Sequence, residues 1–289
     1  MKVNGAKGKL VIIGGGEDKK GDCVILKKFI RLAGAAKARI AIMTVATDKP
    51  DEYADEYLKV FKKLGVDEAR AVDVSRRKDV HDAKALEIIE QATGIFFTGG
   101  DQLHITSLMG GTEMQELIRR KYEEGAVLGG TSAGAAMMSN SMIIRGESNC
   151  TPRFGGMEIG PGMDFLRDAM IDTHFSQRGR IGRLLTAIAH YPQDLGFGID
   201  ENTALVASGG ELEVIGENTV TVIDAGDITY TNLPDLERDQ ALTIHGVKIH
   251  VLSDGHKFDL EKRAPIDETD SAGKGKRAVT VEKAKANRS

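Results

Sequence analysis

Short apolar strands separated by amphipathic helical stretches constrain this chain more than any other feature of its sequence. Lys9–Gly14 (KLVIIG), Arg39–Ala46 (RIAIMTVA), Ala69–Val74, Gly94–Thr98 and Ala126–Gly129 read as strands, and Ala169–Asp172 as a later one. Val24–Ala33 reads as a helix, and the stretch after Pro50 sets Tyr53, Tyr57, Val60, Phe61 and Leu64 on one helical face. A further helix is expected from Gly179 to about Tyr191, with Ile181, Leu184, Leu185 and Ile188 at i, i+3, i+4 and i+7. Apolar strands that alternate with helices predict an α/β fold with a mainly parallel sheet covered on both faces.

The pattern changes after the last of these helices. TALVAS, ELEVIG, TVTVIDA, ITYTNL and LTIHGVKIHVLS are short alternating strands, separated by turn signals such as Gly209-Gly210 and Glu217-Asn218. They are expected to extend or flank the parallel sheet as antiparallel strands within one domain, residues 1–263. Residues 264–289 are polar and mixed in charge, which predicts a mobile tail.

Charge and cysteine usage narrow the function. A net charge of −4 argues against nucleic acid as a partner, because such binding needs a basic surface. No apolar run approaches the length of a membrane span, and the N-terminus lacks the apolar core of a secretion signal. Cys23 and Cys150 lack metal-ligand spacing and are too few for a disulfide scaffold, so a reducing, cytoplasmic setting is expected.

Glycines mark three strand ends. Gly14-Gly15-Gly16 ends the first strand. Lys19 stands where a dinucleotide-binding turn needs its third glycine, and Gly21 is followed by Asp22 where a phosphate loop needs lysine. What remains is a tight turn at the edge of the sheet where ligands bind in open α/β folds. The strongest signal is AVLGGTSAGAAMM, in which Gly130-Thr131-Ser132-Ala133-Gly134 follows a strand and opens a small-residue helix. Serine also caps helices after glycine turns, but a buried strand before it is the setting of a nucleophile elbow. Small neighbours are needed there, since bulky residues two positions either side of the serine would collide. The Ala133 N–H would then face a developing oxyanion. Gly99 and Gly100, in FFTGGDQ, end another strand and can supply further N–H donors.

A serine nucleophile needs a base, and histidine serves near neutral pH. Of seven histidines, His174 stands out, with Asp172 before it and Arg178, Arg180 and Arg183 after it, between a strand and a helix. His245 and His250 fall in the late hairpins and read as surface or cross-strand residues. A carboxylate should fix the tautomer of the base, and the residues alone leave Glu201, Asp200 and Glu147 open. Alternation in a strand would put Asp200 and Glu201 on opposite faces, so only one can serve.

Together FFTGGDQ, GGTSAGA, DTHFSQRGRIGRL and GIDENTALV resemble the cyanophycinase family of serine peptidases, over roughly Lys9 to Leu260. The resemblance implies a three-layer sandwich, flavodoxin-like and related to the class I glutamine amidotransferase domain, with serine in place of cysteine. It implies a homodimeric serine exopeptidase that uses no metal and no cofactor. Its substrate would be cyanophycin, a poly-aspartate chain with arginine on each side-chain carboxyl, and its product the β-Asp-Arg dipeptide. Transferred motif by motif, Ser132, His174 and Glu201 form the triad. Gln102, Asp172, Thr173, Arg178, Arg180 and Arg183 line the substrate site. Position 173 is threonine where the family pattern has glutamine. The arginines would grip substrate carboxylates by forked bonds, and Asp172 or another acid a substrate guanidinium. The alternatives are an aspartyl or isoaspartyl dipeptidase of the same family, and a non-catalytic binding module on the same scaffold.

Overall fold

Strands and helices alternate along the first half of the chain in the computed structural model, which describes residues 6–266. Strand β1 (Leu10–Ile13) is followed by α1 (Val24–Leu32), β2 (Arg39–Met43), α2 (Pro50–Lys63), β3 (Glu68–Val72), α3 (Ala83–Gln91), β4 (Gly94–Phe97), α4 (Gln102–Met109), α5 (Glu113–Glu124) and β5 (Val127–Thr131). A one-turn helix α6 (Ala133–Ala136) leads into the β6 (Ser141–Gly146) and β7 (Met157–Pro161) hairpin, then β8 (Ala169–Thr173), α7 (Ile181–His190) and β9 (Leu195–Ile199). The strands that follow are β10 (Thr203–Ser208), β11 (Glu211–Gly216), β12 (Val220–Asp224), β13 (Tyr230–Thr231), β14 (Ile244–His245), β15 (Lys248–Leu252), β16 (Lys257–Asp259) and β17 (Ala264–Ile266), with one 3-10 turn at Leu233–Asp235 between β13 and β14.

The central sheet has nine strands in the order β17-β16-β11-β10-β1-β5-β4-β2-β3. From β1 to β3 every pairing is parallel, and the strands on the other side of β1 are antiparallel. Side chains of a strand alternate between faces. Leu10 and Ile12 therefore join the core beneath α3, α4 and α5, while Val11 and Ile13 join the one beneath α1 and α2. In the second core the rings of Phe29 and Phe96 meet edge to face at 5.4 Å. Full burial of each such side chain contributes about 1.5–3 kcal/mol.

The late strands divide. β10 and β11 extend the central sheet, as expected, and β16 and β17, which the sequence did not mark as strands, continue it, whereas β12 and β15 join β9 and β8 in a second sheet ordered β15-β12-β9-β8. β8, read from the sequence as one more α/β strand, is thus outside the central sheet, paired in parallel with β9. The second sheet packs one face against the central sheet, where Phe197 meets Phe258 edge to face at 6.3 Å. Its other face is covered by α7 through Met170, Leu184, Ile188 and Ile223. The segment assigned to the tail begins with β17, which pairs with β16. Residues 267–289 lie outside the described residues. Among the described residues no helix is long and apolar enough to cross a membrane.

Candidate active site

Ser132 sits between β5 and α6 at φ 53°, ψ −111°. Such backbone costs a non-glycine residue on the order of 1–3 kcal/mol and persists only where its surroundings hold it. The Ser132 N–H donates to Ile13 O at 3.1 Å, and its carbonyl accepts from Ala135 and Ala136 at 3.0 and 2.9 Å. One residue earlier, Thr131 Oγ1 donates to the buried Glu17 carboxylate at 2.6 Å, and the buried Tyr57 hydroxyl donates to the other oxygen of Glu17. The glycines around the serine are obligatory, as expected. A Cβ on Gly130 would lie 2.1 Å from Gly134 O, and one on Gly134 would lie 2.5 Å from Phe97 O. Helix α6 has only four residues, so its dipole is weak and the local N–H groups carry the electrostatics.

His174, just after β8, reaches the same point from the second sheet. Its backbone N–H donates to Gly14 O at 2.7 Å, and its Nε2 lies 2.8 Å from Ser132 Oγ. On the far side of the ring, Nδ1 is 2.7 Å from Glu201 Oε1. A carboxylate at Nδ1 holds the proton there, leaving Nε2 to accept from the serine hydroxyl. The glycine turn after β1 is the floor under the ring. Gly15 has φ +98°, and a Cβ on it would fall 2.2 Å from His174 Cε1. The Glu201 backbone N–H is held by Gln177 Oε1 at 3.1 Å.

The other two carboxylates left open by the sequence are used elsewhere. Asp200 is buried and accepts from the Ser176 N–H at 2.9 Å and the Thr219 hydroxyl at 2.9 Å. Glu147 is exposed on the loop after β6 and makes no contact with His174.

Burial is the largest influence on His174 and lowers its pKa below the usual 6.5; the Glu201 hydrogen bond opposes this, and the charges of Arg178 and Arg180 add to the lowering. The imidazole is therefore neutral at pH 7 and able to take a proton. Inactivation of the free enzyme by a serine-directed phosphonate should stay flat through neutral pH and fall only below pH 6.5, as the ring protonates. An acid limb centred above 6.5 would contradict this environment.

A cavity of about 400 Å³ opens beside Ser132, in the size range of small-ligand sites. Gly100, Gln102, Asp172, Thr173, Arg178, Arg180 and Arg183 line it, together with Arg145, which the sequence reading missed. The charged residues divide into two kinds. The Asp172 carboxylate is buried and accepts from Arg183 Nε at 2.7 Å, from Arg183 Nη2, and from Arg180 Nη1 at 3.2 Å. Arg180 also donates to Thr173 O at 2.6 Å, and Arg183 to Gly146 O at 3.2 Å. Asp172 is thus occupied by two guanidinium groups of its own chain, contrary to the expectation that it would take one from the substrate. Arg178 and Arg145 are exposed, and neither guanidinium has a partner among the described residues. Gln102 donates through Nε2 to Ile143 O and Ile144 O at 2.8 and 2.9 Å. Asp172→Ala takes the carboxylate partner from the buried Arg183 and the half-buried Arg180, so about 3–5 kcal/mol of stability should be lost in denaturant titration.

Three backbone donors lie near Ser132 in the chain or in space. The N–H groups of Gly99, Gly100 and Ala133 have no protein acceptor among the described residues. A side chain on Gly99 would lie 3.5 Å from Ser132 Cβ. Among the described residues no cluster of three or more His, Cys, Asp or Glu could hold a metal ion.

Residues 10–215 match peptidase family S51. The cyanophycinase of Trichormus variabilis is 36% identical over 262 residues, 90% of this chain and 88% of the relative. That of Synechococcus elongatus is 38% identical over 259 residues, 89% of this chain and 80% of the relative. A peptidase E from Actinobacillus pleuropneumoniae is 28% identical over 180 residues, 59% of this chain and 70% of the relative. The crystal structure of a peptidase from an acI-B1 Actinobacterium shares the fold, with a TM-score of 0.62 and 20% identity over 87% of this chain and 96% of that one. The protein is therefore a hydrolase of the peptidase class. It belongs to peptidase family S51.

Proposed function

We propose that the protein hydrolyses cyanophycin to β-Asp-Arg dipeptides, with Ser132 as nucleophile, His174 as base and Glu201 as the group that orients it. The observation that carries this reading is the unbroken chain of contacts from Glu201 Oε1 through the imidazole to Ser132 Oγ, opening onto an arginine-lined cavity. Relatives at 36% and 38% identity are cyanophycinases, which supports the choice of substrate.

In the first step Ser132 Oγ attacks a main-chain carbonyl of the polymer and its proton passes to His174 Nε2. The imidazolium so formed is stabilised by Glu201. Negative charge on the carbonyl oxygen is met by the free N–H of Ala133 with those of Gly99 or Gly100. As the C–N bond breaks, His174 returns the proton to the leaving amine. Water, deprotonated by the same imidazole, then attacks the acyl-enzyme and restores the serine hydroxyl. Arg178 binds a free arginyl carboxylate of the substrate, while Arg180 and Arg183, held by Asp172, shape the wall. The family resemblance adds a cytoplasmic homodimer, and sedimentation as a single chain would contradict the dimer.

Incubating the purified protein with insoluble cyanophycin should release soluble β-Asp-Arg, identified by mass. Unchanged polymer, with hydrolysis of short aspartyl or isoaspartyl peptides instead, would favour the dipeptidase reading that the peptidase E relative supports.

A further inference from the structure

Strand β6 is irregular where it meets the cavity. Ile143 pairs with Ile159 and Arg145 with Glu158 across the β6–β7 hairpin, which leaves Ile144 as an extra residue. A bulge of this kind bends its strand and re-aims the side chains beside it. The carbonyls of Ile143 and Ile144 both accept from Gln102 Nε2, at 2.8 and 2.9 Å. Two carbonyl acceptors require the NH₂ end of the amide at that place, so Gln102 supplies the donors that the interrupted ladder lacks. One residue past the bulge, Arg145 lines the same cavity as Ser132. Its cross-strand neighbour Glu158 is exposed and forms no ion pair with it.

Resting on the cyanophycin reading above, we propose that Arg145, aimed into the cavity by this bulge, binds a substrate carboxylate, and that Gln102 is its positioning residue. Arg180 and Arg183 are committed to Asp172, whereas Arg145 and Arg178 keep a whole guanidinium fork for the ligand. A planar fork with no internal partner suits a carboxylate better than any other group on this polymer. Cyanophycin carries such a group on every side-chain arginine and one more at its main-chain end. Arg145 stands on β6 and Arg178 follows His174, so the two reach the cavity from separate elements and discriminate against units without the anion.

The test uses a short β-Asp-Arg oligomer and the full-length enzyme. Arg145→Ala should raise KM by roughly 10- to 100-fold with kcat within about threefold, and Arg145→Lys should recover part of the loss. Gln102→Ala should shift KM in the same direction and add little on top of Arg145→Ala. Labelling of Ser132 by a small phosphonate, which bears no carboxylate, should proceed at the wild-type rate in Arg145→Ala. Glu158→Gln should leave KM within about twofold, since it removes only an exposed charge.

Two further oligomers locate the anion. One carries agmatine for arginine and so lacks the side-chain carboxylates. The other is amidated at its main-chain end. The effect of Arg145→Ala should vanish on whichever oligomer lacks the bound carboxylate. A wild-type KM for Arg145→Ala on the parent oligomer overturns the role, and so does an undiminished effect on both altered oligomers. Calorimetric binding of the parent oligomer to Ser132→Ala, with and without Arg145→Ala, gives the same readout without turnover. Loss of catalysis and loss of the carboxylate contact are thereby told apart.

Discussion

Replacing Ser132 by alanine should lower cyanophycin hydrolysis by about 10⁴-fold or more while leaving the protein folded. The size follows from what the substitution removes. Among the described residues no other hydroxyl lies within bonding distance of His174 Nε2, so the base would have only water to activate. The free N–H groups of Gly99, Gly100 and Ala133 and the cavity would remain, so a residual rate above that in water is expected. Alanine at this position deletes one atom, so the glycine-lined turn around it is not crowded. It also gives up nothing that holds the turn, because the bonds to Ile13, Ala135 and Ala136 are made by the backbone. Unchanged thermal unfolding with collapsed turnover is the expected pair of results. Turnover within about tenfold of wild type would remove Ser132 from the chemistry.

Gly15→Ala should be nearly as damaging, although Gly15 has no side chain to take part in the chemistry. Two penalties meet at this residue. Its φ of +98° disfavours any side chain, and the added Cβ would fall 2.2 Å from the imidazole. The ring has to move by more than an ångström, and both of its contacts, at 2.7 and 2.8 Å, are lost with it. Misplacement on that scale typically costs about 100-fold in rate, and a loss of about 10²- to 10³-fold in kcat is expected. Gly210 supplies the control. It has a similar φ of +95° with open space where its Cβ would lie. Gly210→Ala should lose about 1–2 kcal/mol of stability and keep its activity. Equal activity in the two variants would mean that the ring does not depend on the glycine floor.

Much of this arrangement was legible in the sequence because it rests on local rules. Continuous apolar runs marked β1, β2, β4 and β5 to within a few residues, and Ile181, Leu184 and Ile188 marked α7. The crowded turn at Ser132 was legible because its steric demand is written in two glycines beside one serine. The turn of Gly14-Gly15-Gly16 could be recognised as lining a site, but not as the surface beneath His174, since that contact joins residues far apart in the chain. Asp200 and Glu201 do point to different tasks, yet both follow the end of β9 at Ile199, so a turn and not strand alternation separates them.

What was not legible depended on long-range pairing. Nothing in AMIDT announces that β8 leaves the central sheet, because parallel strands look alike in either sheet. The sequence sets Arg178, Arg180 and Arg183 close after Asp172, but does not show that Asp172 binds two of them. That requires knowing that Asp172 lies on a strand fully buried beneath the helix carrying Arg183. Arg145 went unread because a bulge, invisible in IIRGES, sets its direction. Glu17 offered a weak signal, an acid directly after a glycine turn, and its partners Tyr57 and Thr131 lie 40 and 114 residues away.

Treating the protein with a fluorophosphonate and mapping the adduct by peptide mass spectrometry asks most directly whether Ser132 is an activated nucleophile. One adduct is expected, on the peptide that contains Ser132, absent in Ser132→Ala and strongly slowed in His174→Ala. An unlabelled protein, or a label on any other serine that persists in Ser132→Ala, would contradict the account.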